Sequence, residues 1–149
     1  MKHALIALIL LGLLGCAGSL EKSAPPAQDV AKDALYRDLG GTDGITRVVD
    51  VFLQRINGDA RINTLFANVD HDDLRRLVIE QLCAATGGPC TYTGRSMEEA
   101  HSGLNLTEAD FDAFVGDLVA AMNEIKVPKP NQQKLLRLLA PMRAQIVGQ

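Results

Sequence analysis

A chain of 149 residues with 47% apolar and 22% charged side chains has room for one packed domain and is too apolar to stay disordered. Its net charge of -3, with no basic cluster on any predicted face, excludes the phosphate-neutralising stripe that nucleic acid requires. With no tryptophan and 4% aromatic residues, aliphatic side chains must fill most of the core.

The chain opens with Met1-Lys2-His3, an apolar run from Ala4 to Leu14, then Gly15-Cys16, the order of a secretory signal. The run of about 11 residues is too short for a membrane span of about 20. Leu13-Leu14-Gly15-Cys16 is similar to a bacterial lipobox, whose cysteine becomes the lipidated first residue. The reading is a signal peptide over 1–15, a lipidated Cys16 with a flexible tether over 16–33, and a folded domain over 34–149. Pro25-Pro26 blocks helix in the tether. Ala17, where inner-membrane lipoproteins usually carry aspartate, points to the outer membrane. The expected location is therefore the periplasmic face of a bacterial membrane, reached through a lipid anchor. A plain signal peptide with an incidental cysteine is the alternative.

Within the domain, Ile45, Val48, Val49, Phe52, Leu53 and Ile56 recur at helical spacing and predict a first long helix ending at Gly58. Asp70 caps a second, whose face carries Leu74, Leu77, Val78, Gln81, Leu82 and Ala85 before Gly87-Gly88-Pro89 stops it. Ser96 and Glu99 have capping-box spacing, and Met97, Ala100, His101 and Leu104 then share one face, which turns the imidazole towards the core. Thr107 and Asp110 repeat the box ahead of the stripe Phe111, Phe114, Val115, Leu118, Val119 and Met122. Asn131 is the expected cap of a last helix bearing Leu135, Leu138, Leu139, Met142 and Ile146, kinked at Pro141. No stretch alternates with the period of a strand.

Of the three histidines, His3 lies in the signal, and His71 sits at a helix start among Asp70, Asp72 and Asp73, where solvation is expected. His101 has two readings on the residues alone: a core histidine satisfied by a carbonyl, or a metal ligand whose second nitrogen is held by a hydrogen bond. Cys83 and Cys90 flank the Gly-Gly-Pro turn, and in an oxidising compartment they are expected to form a disulfide. A redox-active pair and a zinc site with His101 are the alternatives. No nucleophile with a base and orienting partner is present.

Phe66, Gly87-Gly88-Pro89, Tyr92-Thr93-Gly94, Met97 through His101, Leu106-Thr107 and Phe111, in that order, resemble the group I truncated haemoglobins, and the proline of the last helix agrees. The resemblance runs from Leu35 to Val147. It implies an all-α, two-over-two globin sandwich, a haem b, His101 as proximal iron ligand, and Phe66 on the porphyrin face. Tyr92, Arg95, Met97, Leu104 and Phe111 join Leu74 and Val78 as haem contacts, with Arg76 and Arg95 as candidate partners of the haem propionates.

On the distal side, the family's tyrosine and glutamines fall on Leu53, Leu74 and Val78, which donate no hydrogen bond. With Phe52 and Gln81 these complete the expected distal pocket. Gln81 is its one polar member, to be weighed against a rim residue bonded to backbone, and His71 is a second candidate to approach the iron. Tight dioxygen storage is not expected of such a pocket. The implied function is binding of dioxygen, nitric oxide or carbon monoxide for sensing or redox work, supplied by a reductase of unknown kind. Haem-dependent nitric-oxide or nitrite detoxification, and a non-haem helical interaction lipoprotein, are the alternatives.

Overall fold

The Gly40-Gly41 pair opens the longest helix among the described residues because Gly40, at φ +91°, turns the chain through a conformation that side chains resist. The computed structural model describes residues 32–149, so the signal peptide, Cys16 and nearly all of the tether lie outside the described residues. A short α1 (Ala34–Asp38) leads into α2 (Gly41–Gly58), which buries Ile45, Val48, Val49, Phe52 and Ile56 on one face. At Gly44 an added Cβ would stand 1.8 Å from the Leu39 carbonyl oxygen, so only glycine lets α1 and α2 meet this closely.

A 3-10 turn (Asn63–Phe66) then reverses the chain into α3 (His71–Ala85), capped by Asp70, whose carboxylate accepts from the Asp72 and Asp73 amides at 3.0 Å. Gly87, at φ +87°, ends it. Both capping boxes form as the spacing predicts: Ser96 with Glu99 starts α4 (Met97–His101), and Thr107 with Asp110 starts α5 (Glu108–Glu124). Then come α6 (Lys129–Leu139), a 3-10 turn (Ala140–Met142) and α7 (Arg143–Ile146). No strand occurs among the described residues, and no helix among them is long and apolar enough to cross a membrane.

The long helices set the architecture, with α2 packing against α5 and α3. Phe52, 1% exposed, meets Phe114 edge-on at 4.7 Å. A buried pair of this geometry adds about 0.5–1.5 kcal/mol to the burial of its area.

Three local expectations change. Asn131 is not a cap: α6 begins after Pro128 with Pro130 in its first turn, where the missing N–H costs no ladder bond. Pro141 does more than kink the last helix, because without a donor it converts the ladder to 3-10 and divides α6 from α7. The stripe of α5 is also displaced. Its buried face is Ala113, Asp117, Leu118, Ala121 and Met122, whereas Phe111, Phe114, Val115 and Val119 are only partly covered.

Asp117 is the polar intruder in that face. Burial pushes its carboxyl above the ordinary range, while hydrogen bonding from Arg61 draws the neighbouring Asp59 down to about 2. One Asp117 oxygen, Oδ2, is buried without a hydrogen-bond partner.

Candidate functional site

The segment between α3 and α4 is fastened to α3 along its length. Cys83 and Cys90 are joined in a disulfide with their Cα atoms 5.7 Å apart. Glu80 accepts from the Thr93 hydroxyl at 2.7 Å and the Thr93 amide at 3.0 Å, and these bonds, with Arg76, hold its carboxyl below the usual range. Tyr92, its phenol pushed up by burial, donates to the Arg95 carbonyl at 2.9 Å. The clamp fixes where α4 starts, and so where His101 lies.

His101 is the last residue of α4 and is partly buried. Its Nδ1 lies 2.6 Å from the Met97 carbonyl oxygen. A carbonyl only accepts, so Nδ1 carries a proton and donates, and in the neutral ring Nε2 is then the lone-pair nitrogen. Nε2 has no hydrogen-bond partner among the described residues. A neutral imidazole held at one nitrogen and free at the other is the form in which histidine binds a metal.

Leu74 and Leu77 of α3, Met97 of α4, Phe111 and Val115 of α5, and Met142 and Ile146 beyond are apolar side chains only partly buried, in contrast to the sealed core under α2, against which the partly buried Val78 packs. Gln81 reaches across, its Nε2 3.3 Å from Met97 Sδ and 3.4 Å from Met142 Sδ. Two open surface hollows, one between α1 and α6 and one beside α7, share none of these residues.

The expected site residues separate under this geometry. Leu53 and Phe66 are partly buried against the core, and Phe52 lies deeper than the sequence suggests, sealed beneath Phe114. Leu104 is not on the His101 helix, because α4 stops at His101 and Gly103 and Asn105 take positive φ; its side chain is 55% exposed. Gln81 bonds to sulfur rather than to backbone. His71 is exposed. Arg76 is committed to Asp73 at 2.5 Å and Glu80 at 2.7 Å, whereas Arg95 gives one hydrogen bond, to the Glu99 carbonyl at 3.3 Å. Bonded to each other, the cysteines are not zinc ligands, and no cluster of three His, Cys, Asp or Glu suited to a metal occurs among the described residues. Sequence reasoning missed Arg143, whose guanidinium lies 4.6 Å from the Phe111 ring centre and pairs with Glu108 and Asp112.

Among known proteins, the family model described as bacterial-like globin matches residues 34–147. The chain is a bacterial-like globin. Its relatives are group 1 truncated hemoglobins. That of Tetrahymena pyriformis is 30% identical over 114 residues, covering 76% of this chain and 94% of the relative. That of Synechocystis sp. is 40% identical over 99 residues, covering 64% and 80%. The solved Fe(III) form of the Tetrahymena pyriformis protein superposes with a TM-score of 0.75 at 30% identity, covering 77% of this globin and 98% of that chain. The 2/2 hemoglobin of Synechococcus sp., in the cyanomet state with covalently attached heme, gives 0.72 at 26% identity, covering 77% and 98%.

The fold is thus the all-helical truncated globin, and the cofactor of such a globin is haem b. The residues present fit it: an imidazole held at Nδ1 with Nε2 unclaimed, and apolar side chains on α3, α4 and α5 that the protein alone leaves half covered.

Proposed function

We propose that this globin binds a small diatomic gas at a haem b ligated by Nε2 of His101, on a distal side that offers little hydrogen bonding. The observation that carries the reading is the 2.6 Å bond from His101 Nδ1 to the Met97 carbonyl, which keeps the ring oriented and the other nitrogen basic. Haem iron, when bound, would supply the site that takes the gas. Leu53, Leu74 and Val78, the side chains assigned to that side, donate no hydrogen bond. Met97, whose carbonyl holds the imidazole, and Phe111 would line the histidine's side of the haem, Phe66 and Tyr92 would supply aromatic contact, and Arg95 is the cation available for the haem carboxylates. A charged or polarised hydrogen bond is worth about 1.5–3 kcal/mol, so a pocket without one releases dioxygen about ten- to a hundredfold faster. Sensing or redox work on nitric oxide, carbon monoxide or dioxygen suits such a site better than storage, and returning oxidised iron to the reduced state calls for an external reductase.

The same proposal places the domain outside the cytoplasm. The apolar run, the Leu13-Leu14-Gly15-Cys16 sequence and the Cys83–Cys90 disulfide all favour export, with a lipid on Cys16 holding the globin at the periplasmic face of the outer membrane. Adding haem to the purified chain tests the central part: a Soret band that saturates at one haem per chain, and shifts on adding carbon monoxide to the reduced protein, is expected. A folded chain that takes up no haem would refute it.

A further inference from the structure

Helix α6 carries Lys129, Lys134 and Arg137 and no acidic residue, in a chain whose net charge is -3. Its inner face bears the buried Gln132 and Leu135. Lys134, Arg137 and Leu138, at the three- and four-residue steps that make neighbours on a helix, are exposed, Leu138 at 43%. With Lys32, just ahead of α1, and the apolar Ala34 and Leu35, they line an open hollow of about 460 Å³.

The cations of this hollow are little used within the protein. Lys32 and Arg137 have no side-chain ion pair or hydrogen bond among the described residues, and Lys134 stands 3.4 Å from Asp38. The carboxylate next to Lys32, Asp33, is paired with Arg37 at 2.9 Å. The hollow therefore presents positive charge around an exposed leucine, on a chain that is acidic as a whole.

Lys32 is also where the chain leads back towards Cys16. The 15 residues 17–31 between them span at most about 50 Å. A lipid on Cys16 would keep Lys32 within that distance of a membrane, and a surface too weak to bind from solution suffices once it is tethered. Ammonium and guanidinium groups attract lipid phosphates, and a leucine among them has apolar surface to bury below the headgroups.

We infer that the hollow between α1 and α6 is the face this globin turns to an anionic membrane, with Lys32, Lys134 and Arg137 meeting lipid phosphates and Leu138 entering among the headgroups. The inference rests on the proposed anchoring of the chain. The hollow shares no residue with the surroundings of His101, so this contact uses none of the side chains assigned to the haem.

The test places the full chain in vesicles and follows its reaction with a water-soluble amine-acylating reagent, by mass spectrometry, at Lys32, Lys134 and Lys126. Lys126 is exposed and does not line the hollow. In vesicles of phosphatidylethanolamine and phosphatidylglycerol, Lys32 and Lys134 are expected to react about fivefold more slowly than in phosphatidylcholine, with Lys126 unchanged, and the protection is expected to fade in about 0.5 M salt. Arg137→Glu/Leu138→Ser, an exchange at two exposed positions, should abolish the protection and leave the helical circular dichroism as it was. Equal rates in both kinds of vesicle, with the chain still vesicle-bound, would overturn the inference and leave the anchoring standing. Slow reaction in both, and in detergent, would assign the hollow to the chain's own segment 17–31 and overturn it equally, as would protection that survives the double variant. A chain that does not stay with the vesicles would remove the anchoring and the inference together.

Discussion

Opening the Cys83–Cys90 disulfide removes a cross-link whose cysteines are 7 apart in sequence. On the chain-entropy account, closing so short a loop in the unfolded chain is worth about 2.5 kcal/mol. The folded state loses little in comparison. Cys83 is fully buried as a small apolar group, and the Glu80 bonds to Thr93 continue to hold the segment to α3. In a domain of this size about 2.5 kcal/mol lowers the melting temperature by about 10 °C. The assay is thermal unfolding followed by far-ultraviolet circular dichroism, for the oxidised chain, the reduced chain and the Cys83→Ala/Cys90→Ala double variant. Both altered forms should melt about 10 °C lower, with the helical signal at 20 °C unchanged. A drop under about 3 °C would show that the cross-link does not restrain the unfolded chain as argued. Loss of helix before melting would show instead that the disulfide holds the native segment in place.

Asp117→Asn should stabilise the fold, because it relieves a buried carboxyl with one unpartnered oxygen and lets an amide donate to Asp59. A gain of about 1 kcal/mol in urea unfolding at pH 7 is expected, and a loss would show that the charged form is needed there. Glu80 gives a pH signature. Its folded carboxyl is held below the usual range by Thr93, so its stabilising contribution is complete above the unfolded carboxylate pKa of about 4.3 and fades as pH falls through the folded value. Glu80→Gln should therefore destabilise at pH 7 and flatten the acid limb of a stability-versus-pH curve, and an unaltered acid limb would remove Glu80 from the clamp.

What could be read from the sequence was chiefly what is decided locally. The Asp70 cap and both capping boxes depend on residues within one turn, and all three form. The face of α2 was legible because α3 and α5 together cover it, so its apolar stripe and its buried stripe coincide. On α5 they do not. Which side is buried depends on where α2 lies, and Phe111 and Val115 belong to an apolar side that the protein only half covers. Leu104 was misplaced because helical spacing was carried past Gly103, whose positive φ shows that α4 has already ended.

The site divides in the same way. Periodicity placed His101 beside Met97 and Ala100, and the four-residue step back to the Met97 carbonyl is a local property of a helix. Helical spacing by itself does not choose between a core histidine and an iron ligand, and the proposal of a ligand rests on the family. The role of Arg76 was not legible from the general rule that cations pair with haem carboxylates, although Asp73 and Glu80 stand three residues before and four after it, at ion-pair spacing. Arg143 gave no such signal, since its partners Glu108 and Asp112 lie on another helix.

The most direct measurement is the iron–imidazole stretching band of the reduced haem protein by resonance Raman, taken for the unaltered chain, for His101→Gly, and for His101→Gly with free imidazole. The account predicts a band that disappears in His101→Gly and returns, at a frequency shifted from the original, when imidazole fills the space. A band that persists unchanged in His101→Gly would show that another residue binds the iron and would contradict the assignment of His101.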